Sequence, residues 1–232
     1  MEGILLVDKP ADWTSFDVVN YVRRIVAEST GSKPKSVKVG HSGTLDPFAT
    51  GLLILLVGKN YTKRANEYTK LDKTYEFSAC LGQTSSTGDI EGDITKKSDR
   101  VPTLKEVEEV TNSFKGEILQ TPPKYSAIKV NGKRSYELAR EGKEVKHKAR
   151  RVRINSIELL SFDYPEVKIR ADVSSGTYIR SLAEDIGQKL GTGAYTKELR
   201  RTSVNGYKIA DAIGVKDLTK TNIRDRMQVV DI

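Results

Sequence analysis

The run Gly40-His41-Ser42-Gly43-Thr44-Leu45-Asp46-Pro47-Phe48-Ala49-Thr50-Gly51-Leu52-Leu53 constrains this chain more than any other stretch. Its glycines and its proline force an unusual backbone path. The path runs directly into the apolar segment Leu52–Val57, which reads as a buried strand. One carboxylate, Asp46, sits in the middle, and a buried strand after such a loop holds it firmly. An isolated Asp-Pro pair reads as a turn that starts a strand. The whole run has to be explained here, not the dipeptide.

A chain of 232 residues can bury a real core, as one large domain or two small ones. Its 39 Lys+Arg against 31 Asp+Glu give a formal charge of +8, which favours a polyanionic partner. The charge is unevenly spread. Lys124–Arg153 holds eleven Lys/Arg against three Glu, an excess equal to that of the whole chain. The rest of the sequence is balanced, so this segment reads as an electrostatic footprint for phosphates. Cys80 is the only cysteine, so no internal disulfide forms. Met1–Asp8 lacks the basic start and long apolar stretch of a signal peptide, and Leu52–Val57 is too short to span a bilayer. These features predict a cytoplasmic protein with no membrane partner.

Ile4–Val7 reads as a short strand ending at Asp8-Lys9-Pro10. Thr14 and Asp17 form a capping-box pattern. It opens a helix over about Ser15 to Glu28, with Val18, Val19, Val22, Ile25 and Val26 on one face and Gly31 as its stop. Lys73–Leu81 alternates as a half-buried strand, and Gly82–Asp93 reads as a polar loop. Thr103 and Glu106 repeat the capping pattern before a stripe of Leu104, Val107, Val110 and Phe114. Val167, Ile169, Ala171 and Val173 alternate in another strand. Ser175-Gly176 then leads into a helix over about Thr177–Leu190, with Ile179, Leu182, Ile186 and Leu190 inward and Gly191 and Gly193 at its end. Ile154–Phe162 and Val167–Val173 look like antiparallel neighbours. The fold class is α+β, a mixed, largely antiparallel central sheet flanked by helices. Residues 1–232 read as a single domain, with Lys124–Arg153 as an excursion that carries a hairpin signal at Asn131-Gly132.

The residues restrict the chemistry. No phosphate-binding P-loop and no G-x-G-x-x-G after a strand occurs. The only histidines are His41 and His147, and Cys80 lies on an expected core strand, so no metal site is predicted. What remains is carboxylate chemistry on a glycine-rich loop beside a basic surface, with no cofactor.

Six strings in order resemble the TruB-type tRNA pseudouridine synthases. They are Gly3–Pro10 ending in Thr14-Ser15, the Gly40–Leu53 loop, Lys73-Thr74-Tyr75 with Leu81-Gly82-Gln83-Thr84, Gln120–Lys129 with Gly132, Tyr136, Ala139-Arg140 and Gly142, Ser175–Leu182 with Asp185-Ile186-Gly187, and Leu199-Arg200-Arg201. The resemblance implies the pseudouridine synthase fold and isomerisation of the T-loop uridine at tRNA position 55. That reaction breaks the N1–C1′ bond and joins C5 to C1′ without net oxidation, which suits a chain with no cofactor motif.

The resemblance also implies roles. Asp46 is the catalytic aspartate, and Arg180 pairs with it; an adjacent guanidinium lowers an Asp pKa by roughly 1–3 units. Tyr75 stacks on the target base and assists proton transfer, and Leu199 packs against the base. His41 braces the space left by the flipped nucleotide. Lys9 orders the surroundings, and Tyr178 supports Arg180. The segment Lys124–Arg153 matches an RNA-gripping thumb, with Lys146, Lys148, Arg150 and Arg151 as its phosphate contacts. The implied partner is the tRNA T-arm stem-loop, met by a monomer without a guide RNA.

Departures from the family pattern are Asp12 where many members have glycine, Ser174 for a frequent cysteine, and an end at Ile232 with no C-terminal PUA-type domain expected. Attack at C6, attack at C1′ and a glycal route all stay open for Asp46. A catalytically silent tRNA-binding module is the alternative. A glycosidase would want a second carboxylate, and no acid lies close to Asp46 in sequence, although distant ones such as Asp185 remain.

Overall fold

The computed structural model describes residues 1–130 and 132–229, and of Arg140 the backbone alone. Asn131 of the hairpin signal therefore lies outside the described residues. The chain forms two compact units, one of residues 1–73 with 200–232 and one of residues 74–199.

In the first unit, the strand Thr50–Val57 pairs antiparallel with Gly3–Lys9, in register from Gly3 opposite Val57 to Lys9 opposite Gly51. It also pairs antiparallel with Val39–His41, and parallel at Thr50 and Gly51 with Arg200 and Arg201. Its apolar run is continuous because both faces are covered. Leu53, Leu55 and Val57 pack with Val18, Val22 and Val26 of the helix Ser15–Thr30. Leu52, Ile54 and Leu56 pack with Tyr61, Tyr68 and Val204 on the other face. Thr14 and Asp17 make both hydrogen bonds of the capping box, and Gly31 ends the helix in the left-handed conformation. Ile213-Gly214 and Met227-Gln228 add short strands beside Gly3–Lys9.

In the second unit, Glu166–Val173 pairs antiparallel with Arg150–Asp163, whose first residues pair in turn with Gly116–Gln120. The strand Lys73–Leu81 lies next to Glu166–Val173. Val167, Ile169, Ala171 and Val173 are buried, as their alternation predicts. The helices Leu104–Asn112 and Ile179–Lys189 pack on each other, and the first also packs on Arg150–Asp163. No helix among the described residues is long and apolar enough to cross a membrane.

Four details depart from the sequence reading. Gln83–Ser85 and Ile94–Lys96 form a small antiparallel hairpin inside the segment expected to be a loop. Strands of three half-exposed or exposed residues are too short to show periodicity. Leu104 is exposed, because it occupies the first turn of its helix. The helix expected from about Thr177 starts at Ile179, since Gln120 Oε1 takes the Tyr178 N–H (2.8 Å) and holds that residue extended. The basic segment is not one excursion. Arg150–Arg153 belong to the main strand, and only the stretch before them leaves it, as the hairpin Lys129-Val130/Lys133-Arg134 and the helix Ser135–Arg140.

Candidate functional site

Asp46 lies in the first unit on a loop that is pinned on both sides of it. Ser15 Oγ accepts the Leu45 N–H (2.9 Å) and donates to the Leu45 carbonyl (3.2 Å). The Pro47 carbonyl accepts from Lys9 Nζ (3.0 Å) and from the Asp12 N–H (3.0 Å). Lys9 Nζ also donates to the carbonyls of Pro10 (2.8 Å) and Trp13 (2.6 Å). Lys9 is completely buried and ties these three carbonyls together. Asp12 reaches Pro47 by adopting φ 64°, a conformation that Asp tolerates better than most residues and that glycine adopts freely. Asp46 itself is partly exposed on this rigid frame.

Arg201, also completely buried, closes the loop from the other end through Nε to the Leu52 carbonyl (2.7 Å) and Nη2 to the Gly43 carbonyl (3.2 Å). Gly51 permits this. A Cβ there would lie 2.3 Å from the Arg201 carbonyl oxygen, and the residue has φ 107°. His41 is half-buried with its Nδ1 lacking a hydrogen-bond partner. Burial, then the nearby Arg201 guanidinium, hold its pKa below the ordinary value against an opposing backbone contact from Gly43.

Lys73 shares this cationic neighbourhood, and burial, then Arg201, lower its pKa to about 8 against Asp72. Its unfolded pKa lies near 10.5, so between these values the unfolded chain binds more protons and stability rises with pH. Wild type is expected to gain up to about 3 kcal/mol over Lys73→Met across that window. Denaturant titrations at pH 7.5 and 10 measure it, and parallel curves for the two proteins would refute it.

The second unit holds Tyr75, Tyr178, Arg180 and Leu199. Tyr75 and Leu199 are buried on strands. Arg180 is 4% exposed and pairs with the equally buried Asp89 (Nη1 to Oδ2, 3.0 Å). It also donates to the carbonyls of Thr87 (3.0 Å) and Tyr125 (2.7 Å). Asp89 is fixed in turn by Thr87 Oγ1 (2.5 Å) and the Glu91 N–H (3.1 Å) on Oδ1. The sequence reading missed Asp89, whose only local mark is the turn Thr87-Gly88-Asp89. Tyr178, beside Arg180, exchanges two backbone hydrogen bonds with the Gln120 amide (2.8 and 3.1 Å) and carries Arg150 over its ring at 5.2 Å. Arg150 also donates to the Gly176 carbonyl. It thus braces the turn before the arginine helix, while Lys146, Lys148 and Arg151 are exposed. His147 Nε2 ties this basic stretch to Ser135 Oγ (2.9 Å), whose hydroxyl donates to the Lys124 carbonyl.

Residues 30–179 match the family model for TruB family pseudouridylate synthases (N-terminal domain), and residues 180–229 match that for the tRNA pseudouridylate synthase B C-terminal domain. The chain is 41% identical over 228 residues to the tRNA pseudouridine synthase B of Protochlamydia amoebophila, covering 98% of this chain and 84% of that protein. It is 45% identical over 231 residues to that of Clostridium acetobutylicum, covering 100% and 77%. Among solved structures it is similar to a chain of a Cbf5–Nop10–Gar1 complex, at 30% identity and a TM-score of 0.71. A chain of the archaeal box H/ACA sRNP Nop10–Cbf5 complex gives 28% and 0.67. These two matches cover 97% and 96% of this chain but 57% and 55% of those chains. Continuous likeness through the pinned aspartate loop and the arginine helix makes this chain a member of the TruB family of pseudouridylate synthases.

Proposed function

We propose that this protein converts uridine 55 in the T-loop of tRNA to pseudouridine. The observation that carries the reading is the mounting of Asp46, a partly exposed residue whose two neighbours in the chain are both fixed by buried side chains. The relatives named tRNA pseudouridine synthase B support tRNA as the substrate.

In this proposal the uridine leaves its stack, at a cost of a few kcal/mol, and neutral His41 braces the vacated space. Asp46 assists cleavage of N1–C1′. The detached uracil turns between Tyr75 and Leu199, which confine it, and C5 then bonds to C1′. The C5–H bond breaks, with Tyr75 assisting removal of its proton to solvent, while N1 takes up a proton. Arg180 favours the ionised carboxylate, and Tyr178 orients Arg180. Since nothing is oxidised or phosphorylated, these side chains suffice. The test is to map pseudouridine in a tRNA transcript after incubation with the protein. Product at position 55, and none in a transcript carrying cytidine there, is expected. Modification at another position alone would overturn the assignment.

The exposed Lys146, Lys148 and Arg151 are proposed to hold the T-arm backbone. Replacing all three with alanine is expected to weaken binding and lower the slope of log K against log salt by about 2, since each phosphate contact accounts for roughly 0.7–0.9. Arg150→Ala is expected to act differently. It removes the brace of Tyr178, so turnover falls more than affinity. An unchanged salt slope in the triple variant would show that the lysine-rich stretch is only a solvated face.

A further inference from the structure

The sequence places the whole charge excess in one segment, yet the first unit holds a basic cleft of its own. It has a volume of ≈ 420 Å³ and is lined by Arg23, Arg24, Lys35, Lys38, Gly40 and Thr62 among others. These residues come from the helix Ser15–Thr30, the turn Pro34–Ser36, the link through Lys38, the strand Val39–His41 and the short helix Lys59–Lys63. No carboxylate lines the cleft, and among the described residues none of its four cations is in an ion pair. Convergent, unpaired cations repel one another, and an anion between them relieves this.

The lining also says which part of a ligand is read. It contains no aromatic ring on which a base could stack. Its one amide, Asn20, is engaged by Arg23 Nη1 (2.7 Å), and Arg23 itself sits 6.0 Å from the centroid of the Phe16 ring. With four cations, no carboxylate and no ring for stacking, the cleft suits phosphate oxygens rather than nucleobases. It adjoins Gly40, at the start of the loop that carries His41 and Asp46.

We propose that the cleft of Arg23, Arg24, Lys35 and Lys38 binds the phosphodiester backbone of the RNA substrate, as a second footprint separate from the lysine-rich stretch of the other unit. This rests on the reading of the protein as an RNA-modifying enzyme, which it deepens. The cleft contributes affinity and no chemistry, so its loss raises KM and leaves kcat unchanged.

The test uses the full chain and a fluorescent T-arm hairpin RNA. Arg24→Ala/Lys35→Ala/Lys38→Ala is expected to lower the salt slope by about 2 and to raise KM by on the order of 10-fold or more at 150 mM salt. Lys35→Gln, a single change at an exposed residue, is expected to lower the slope by about 0.7–0.9 and guards against misfolding of the triple variant. The same slopes are measured in an Asp46→Ala background. That arm separates the two claims: absence of pseudouridine with the wild type overturns the proposed function, while an unchanged slope overturns the cleft. Inorganic phosphate, titrated as a competitor, distinguishes the other source of the same chemistry. Wild-type RNA binding in the triple variant, together with loss of phosphate binding, would make this a free-anion site and overturn the proposal.

Discussion

Asp46→Ala is expected to abolish tritium release from a tRNA transcript labelled at uridine C5, with RNA binding retained. The expected loss in turnover is on the order of 10⁴-fold or more, equivalent to about 5 kcal/mol of transition-state stabilisation. The size follows from the chemistry. The proposed reaction has no cofactor to share the work, and one carboxylate must meet the sugar or base as the glycosidic bond breaks. The loop has several anchors besides that carboxylate. Its anchors are Ser15 on Leu45, Lys9 and Asp12 on Pro47, and Arg201 on Gly43 and Leu52. The variant should therefore fold and hold RNA as the wild type does. Asp46→Asn keeps the volume and removes the charge, and should fail equally. Release undiminished in either variant would end the assignment of Asp46 as the reacting group.

The second large effect is expected at Asp89. Its carboxylate and the Arg180 guanidinium are each 4% exposed and 3.0 Å apart. Removing one member of such a buried pair typically costs about 3–5 kcal/mol, because the other charge is left in a low-dielectric site. Asp89→Ala is thus expected to lower stability by about 3–5 kcal/mol in urea titrations. It should also lower turnover, since Arg180 loses one of the contacts that fix its direction. Asp89→Asn retains an oxygen for Thr87 and the Glu91 N–H and is expected to lose less stability than alanine, while still lowering turnover. A variant with both Asp89→Ala and Arg180→Met should recover part of the stability but none of the activity. Wild-type stability in Asp89→Ala would mean that the pair is held by other contacts of Arg180.

Much of the fold is legible because the signals are local. Thr14 with Asp17 and Thr103 with Glu106 mark helix starts, since a cap involves only neighbouring atoms. The unbroken run Leu52–Val57 predicts a strand covered on both sides, and both sides are covered. The glycines around Asp46 are legible for the same reason, and Gly51 shows why: a side chain there would strike the Arg201 backbone. The hairpin at Gln83–Lys96 was not legible, because strands of three residues are too short to carry periodicity.

The sequence by itself determined the family, the α+β class, the loop that carries Asp46, and the basic stretch from Lys124. Each depends on residue types at short spacing, which local sterics and periodicity translate directly into structure. Tertiary structure alone decided that Lys9 and Arg201 are buried braces, that Asp89 partners Arg180, that Arg150 stacks on Tyr178, and that four cations from separate segments share one cleft. Burial and charge pairing depend on distance through space, and residues such as Asp89 and Arg180, or Arg23 and Lys38, acquire those distances only when the chain has folded.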